Sequence, residues 1–305
     1  MKKIAKLMLI VLAFSLILTG CTQTEVDVPG EQGQDIITAE TALELSAEDN
    51  VILVDAQKSG DYEDQHVENA VNVGRNDITS FGPFPNMLVS ASKFEEVMGE
   101  HGISNDSRVI VYDNNNNMDA ARLQWTLHVF GHQNVQVING GINALIDAGA
   151  ETADGEFEVQ PAQFTAQSRN EDLVATKEEV LAQVNNPSDD VVILDVRTAE
   201  EVNQGIIPGA VHINYTRNIN DDGEYRPYQD FLRIYPDKEV TPDKKVIMYC
   251  KTSIRAAQTY TALRNAGYRD LEIYDGAWIE WSSDSSLPVG SIGGGAVESN
   301  FQDGS

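Results

Sequence analysis

Short apolar runs rich in β-branched side chains recur along the chain, each too short to make a buried helix. Val51-Ile52-Leu53-Val54, Val109-Ile110-Val111-Tyr112, Val191-Val192-Ile193-Leu194 and Val246-Ile247-Met248-Tyr249 are examples. Polar residues do not alternate within these runs, so each strand is expected to be covered on both faces. Between them lie stretches of helical character, such as Ala91–Met98, Thr176–Ala182 and Ala256–Leu263. Strands of this kind alternating with helices predict an α/β fold, with a mainly parallel sheet and helices on both faces.

The pattern occurs twice. Val51–Asp55 matches Val191–Asp195, and Val67–Val73 falls on Ile207–Ile213 without a gap. Arg108–Asp113 falls on Lys245–Cys250, Phe130–Val137 on Ala266–Ile273, and Asn139-Gly140 on Asp275-Gly276. Order and spacing held over successive blocks mark an internal repeat. Two domains are expected, residues 36–150 and 171–290. The polar segment 151–170, with Gly155 and Pro161, serves as linker, and residues 291–305 are expected to form a flexible tail. Residues 21–35 are polar with Gly and Pro and read as a tether.

The first residues carry a different signal. Lys2, Lys3 and Lys6 precede an apolar stretch from Leu7 to Leu18, shorter than the ~20 residues that span a bilayer. Leu18-Thr19-Gly20-Cys21 resembles the bacterial lipoprotein signal, which implies cleavage after residue 20 and lipid on Cys21. The chain would then sit on the extracytoplasmic face of the cell membrane. Multiple acylation at Cys21 would supply stable attachment, which a single chain does not. The net charge of −27 excludes nucleic acid as a partner, since binding it requires a basic footprint.

Of the two cysteines, that leaves Cys250 as the one thiol available for chemistry. It stands between an apolar strand and a helical stretch, with Lys251, Thr252, Ser253, Ile254 and Arg255 following. There it faces unpaired backbone N–H groups and the positive end of the helix dipole, both of which favour thiolate over thiol. Carboxyl ends of strands are also where ligands sit in such sheets. The first-half counterpart of Cys250 is Asp113, which cannot do thiol chemistry, so one domain is expected to be active and the other to form a wall of the cleft. His66, His101, His128, His132 and His212 do not fall at metal-ligand spacing, and neither metal nor cofactor is implied.

Several blocks resemble the tandem form of the rhodanese family of sulfurtransferases, whose first domain is inactive. They are Asp195-Val196-Arg197 with Glu200-Glu201, Gly205–Asn214, Ile219–Tyr225 and Tyr274–Trp281. The resemblance covers about residues 36–290 and implies two tandem rhodanese-like domains. Asp195 and Arg197 are expected to act as structural support, by pairing or by capping a turn. Trp278 and Trp281, three apart, are expected to pack in the core. Phosphatases of the same architecture resemble a seven-membered loop with five residues between Cys and Arg. Here four residues separate Cys250 from Arg255, the six-membered loop of sulfurtransferases.

The resemblance therefore implies a sulfurtransferase that takes sulfane sulfur from a small anionic donor onto Cys250 as a persulfide. It then passes the sulfur to cyanide or a thiol. Lys251 and Arg255 would draw the donor, Arg255 with two hydrogen bonds, and the amides of Thr252, Ser253, Ile254 and Arg255 would hold the anionic sulfur. Two loop cations favour thiosulfate; 3-mercaptopyruvate remains the alternative donor. A non-catalytic carrier of sulfane sulfur and a redox sensor remain alternative functions. Ser253 stands where many family loops have Gly, so the loop either avoids a positive φ or is mildly strained.

Overall fold

The computed structural model describes residues 28–291 and the backbone of 294–297. The expected signal segment 1–20, Cys21, residues 22–27 of the tether and the remainder of the tail lie outside the described residues.

Each half forms a five-stranded sheet, all of its pairs parallel. In the first, β1 (Ile36–Ile37), β2 (Val51–Asp55), β3 (Val71–Asn72), β4 (Arg108–Tyr112) and β5 (Val135–Ile138) lie in the order β1-β5-β4-β2-β3. In the second, β6 (Val174–Ala175), β7 (Val191–Asp195), β8 (Val211–His212), β9 (Lys245–Tyr249) and β10 (Leu271–Tyr274) repeat it as β6-β10-β9-β7-β8. Register repeats too, with Asp55 opposite Tyr112 and Asp195 opposite Tyr249. In both halves the tyrosine hydroxyl accepts a backbone N–H from the neighbouring turn, Val67 at 2.9 Å and Ile207 at 3.1 Å.

Because side chains alternate across a strand, each sheet feeds two cores. Val54, Val109, Val111 and Val137 of the first sheet and Leu194, Val246, Met248 and Ile273 of the second point into one shared central core. The intervening residues Leu53, Ile110 and Tyr112, and Ile193, Ile247 and Tyr249, face two separate outer cores. Each fully buried aliphatic side chain contributes ~1.5–3 kcal/mol, so the shared core binds the halves strongly. At its centre, helix α1 (Met118–Val129) packs on helix α2 (Ile254–Asn265), and both are buried on nearly every side.

Three segments expected to be loose are held. Residues 28–35 lie along the second domain: Gly30 N donates to Gly267 O (3.0 Å), Gly33 N to Asn265 O (2.8 Å) and Arg264 pairs with Asp35 at 2.7 Å. Backbone groups make most of these bonds, which is why the composition of the segment did not disclose them. The expected linker folds back on the first domain, with Phe164 stacked edge-on to Phe94 and Ala162 N bonded to Gly99 O. At the tail, Gly294–Val297 pairs antiparallel with Val289–Ser291, and Gly290 bridges to Ile206.

Candidate active site

Strand β9 ends at Tyr249, and Cys250 follows with its side chain buried. Helix α2 begins four residues later, at Ile254. Trp278 N donates to Cys250 O (3.0 Å) and Ile279 N to Lys251 O (3.2 Å), fastening the loop to the helix Ala277–Ser283. Ser253 turns the chain into α2 with φ of +65°. Its Oγ donates between the carbonyls of Tyr274 and Asp275, each at 2.9 Å. The loop thus takes the left-handed conformation, and the hydroxyl holds it there.

The loop of the first domain shows what such a ring does to an anion. Asp113 Oδ1 accepts the amides of Asn115 (2.8 Å) and Asn117 (3.0 Å), and Oδ2 those of Asp119 (2.7 Å) and Ala120 (2.9 Å). Burial, with the Asp119 charge beside it, pushes the Asp113 carboxyl up to about 6, and these amides work in the opposite direction. In the second domain, the amides of Thr252, Ser253, Ile254 and Arg255 are paired with no acceptor among the described residues. Helix α1 starts one residue later relative to Asp113 than α2 does relative to Cys250, so the first loop has five residues before Asp119. The cysteine ring is the tighter of the two.

The predicted loop cations are not equivalent. Lys251 is exposed. Arg255 does not present a free fork, contrary to expectation. Its Nη1 and Nη2 donate to Glu201 Oε2 (2.6 Å) and Oε1 (2.9 Å), and it lies 5.4 Å from the Tyr215 ring centroid. The Arg255 pair holds the Glu201 carboxyl at about 2. Burial opposes the charge on Arg255, but Glu201 and the nearby Cys250 sulfur outweigh it and hold the guanidinium above its ordinary range. A bidentate carboxylate inside the protein satisfies the fork better than water does, which is why Arg255 turns to it.

Asp195 and Arg197 do pair. Arg197 Nε reaches both carboxylate oxygens at 3.0 Å, and Nη2 bonds Asp195 Oδ2 (2.6 Å) and Gly205 O (2.7 Å). Its guanidinium lies 4.1 Å from the centroid of Trp278, the residue whose amide holds Cys250 O. Trp281 is fully buried as expected, whereas Trp278 is half-buried and serves Arg197. Gln57 takes the place of Arg197 in the first domain, where burial pushes Asp55 up to about 6.

Sequence reasoning missed two residues that the first domain sends to this loop. Asn86 Nδ2 donates to Thr252 Oγ1 (3.0 Å), from the hairpin of Thr79–Ser80 with Met87–Leu88. Arg122 of α1, fully buried, donates through Nη2 to Asn86 O (2.8 Å) and Asp275 Oδ1 (3.0 Å). The one available signal was a cation inside the apolar helical run Ala120-Ala121-Arg122-Leu123-Gln124-Trp125.

A cysteine in a tight amide ring, facing a second copy of its own fold, defines a two-domain α/β protein with a candidate thiol site. The chain belongs to the rhodanese-like domain family, whose model matches residues 38–148 and 176–284. A relative from Haloferax volcanii, named "Putative thiosulfate sulfurtransferase", is 30% identical over 218 residues, 66% of this chain and 75% of the relative. The 3-mercaptopyruvate sulfurtransferase of Escherichia coli is 30% identical over 218 residues, 68% of this chain and 76% of that protein. The crystal structure of SseA from Escherichia coli, a 3-mercaptopyruvate sulfotransferase, superposes with a TM-score of 0.73 at 26% identity, covering 81% of this chain and 99% of SseA.

Proposed function

We propose that the protein is a thiosulfate sulfurtransferase working through a persulfide on Cys250. The observation that carries this reading is the six-membered ring from Cys250 to Arg255, the amides of Thr252 to Arg255 unpaired among the described residues, beside a first-domain ring whose amides grip a carboxylate. The Cys250 thiolate attacks the outer sulfur of thiosulfate. The sulfur–sulfur bond breaks and sulfite leaves with the bonding pair, so Cys250 carries an anionic outer sulfur. Cyanide or a thiolate then attacks that sulfur and departs as thiocyanate or a persulfide, restoring the thiolate. Amide donors already in position hold the negative sulfur without reorganising. Lys251 is the exposed cation that draws the donor.

The same site supports 3-mercaptopyruvate as a second donor. Glu201 occupies the Arg255 fork, which leaves less free positive charge than a dianion favours. A thiosulfate:cyanide assay tests the main reading. Wild type should turn over and gain the mass of one sulfur atom on Cys250, and Cys250→Ser should lose turnover by at least ~10³-fold. Wild-type turnover with 3-mercaptopyruvate alone would move the assignment to that donor, and none with either would favour a sulfur carrier. We further propose export and lipid attachment through Cys21, supported by Leu18-Thr19-Gly20-Cys21. Radiolabelled palmitate should enter wild type and not Cys21→Ser.

A further inference from the structure

Arg122 is a full positive charge with no exposure to water, and it belongs to the domain without a thiol. Its Nη2 serves two acceptors, while Nε and Nη1 have no partner among the described residues. The Trp125 ring centroid lies 4.5 Å from the guanidinium and compensates part of the charge, but two donors buried without acceptors are costly, so the arrangement calls for a further source of negative charge. The hydrogen bonds around Arg122 locate it. From Nη2 one path runs through Asn86 to Thr252, and another through Asp275 to the hydroxyl of Ser253. Thr252 and Ser253 are consecutive, so the paths close into a ring that clasps the cysteine loop across the domain boundary. Leu88 N donates to the other Asp275 oxygen (2.8 Å), so this carboxylate is itself held from the first domain. Burial draws the charge of Arg122 down, and Asp275 and the Cys250 sulfur are the groups that sustain it. At the equivalent place in α2 stands Gln258, which reaches Asn116 O in the first loop (2.8 Å). The clasp is thus mirrored, but only the arm directed at the cysteine carries a charge.

We propose that Arg122 is a positioning residue for Cys250: the first domain uses it to fix the cysteine loop and to place buried positive charge beside the anionic sulfur. This rests on the reading of Cys250 as the nucleophile and deepens it. The other charges near the loop stand in the pairs Glu201–Arg255, Asp195–Arg197 and Arg75–Asp119, with Lys251 exposed; Arg255 also faces the Cys250 sulfur, and Arg122 with Asp275 adds the charge pair that bridges the two domains.

The test measures iodoacetamide alkylation of Cys250 against pH in a Cys21→Ser background, together with thiosulfate:cyanide kinetics. Arg122→Met should move the alkylation midpoint up by about one pH unit, a ten-fold slowing below the midpoint, and cut kcat/KM at least ~30-fold. Arg122→Lys should restore most of the midpoint. Asp275→Asn, which removes the compensating charge, should move it down, and this variant keeps the test open if Arg122→Met fails to fold. Asn86→Ala should lower kcat with the midpoint unchanged. An unmoved midpoint in folded Arg122→Met, an Arg122→Lys no better than Met, or an unmoved or raised midpoint in Asp275→Asn would overturn the assignment. If these shifts appear while wild type turns over no thiosulfate, the proposal stands and the donor reading falls.

Discussion

Ser253 shows how a single side chain adapts to a conformation meant for glycine. A residue with a Cβ pays roughly 1 kcal/mol to sit at a φ of +65°, and a buried hydrogen bond returns about the same. The Ser253 hydroxyl makes that bond to the carbonyls of Tyr274 and Asp275, joining the loop to the turn after β10. Ser253→Gly loses the bond and the strain together, so its stability should lie within about 0.5 kcal/mol of wild type. Ser253→Ala keeps the strain and loses the bond, and should cost about 1–1.5 kcal/mol. Urea unfolding measures both, and an alanine variant as stable as the glycine variant would refute the account. The substitution of Ser for Gly was visible in the sequence. That the loop accepts the positive φ was not, because the compensating carbonyls lie more than twenty residues away.

Among the elements, the pair α1 and α2 decides how the halves couple. His128 sits in this contact, its Nδ1 bonded to the Tyr260 hydroxyl (3.0 Å) and its Nε2 without a partner among the described residues. Burial drives its pKa well below 6.5, so the folded protein keeps the ring neutral. The unfolded chain takes up a proton near pH 6.5 and the folded one does not, so this contribution is complete above that pH. It is lost progressively as pH falls towards the folded value. Asp55 and Asp113, raised to about 6, act in the opposite sense: their contribution is complete below about 3.8 and lost as pH rises to about 6. His132, also pushed down by burial, acts in the same sense as His128, and Asp55 and Asp113 oppose both in the same pH range, so the His128 term is read as a difference between variant and wild type. The Tm of His128→Gln relative to wild type should rise as pH falls from about 7.5 to about 5.5, and a constant difference would remove His128 from this role. The β-branched runs made the strands legible, because covered parallel strands need uniform apolar stretches. The aligned blocks also placed Cys250 and Asp113 at matching strand ends. Helices α1 and α2 were less legible, since Gln124, Thr126 and Thr261 are polar yet buried at a contact between domains. Pairs such as Glu201 with Arg255 join residues 54 positions apart, and no local pattern announces them.

At the scale of the whole molecule, the strap of residues 28–35 fixes where an anchor would enter. It crosses the second domain at Asn265 and Gly267, beyond the carboxyl end of α2, and continues into β1 of the first sheet. The cysteine loop lies at the other end of α2, whose twelve residues span ~18 Å. Six residues separate Cys21 from Val28, a reach of at most ~25 Å. With lipid on Cys21, as proposed, we expect the bilayer to be met by the edge carrying Gln34, Gln133 and Asn134, with the cysteine loop at the far end of α2. A soluble donor and acceptor then reach Cys250 without crossing headgroups. In vesicles bearing a short-range quencher on the lipid, a fluorophore on Gln133→Cys, made in a Cys250→Ser background, should be quenched strongly, and one on Cys250 weakly. Turnover of the vesicle-bound protein should match the detergent-solubilised form within about two-fold. Stronger quenching at Cys250 than at position 133 would reverse the orientation and place the cysteine loop against the membrane.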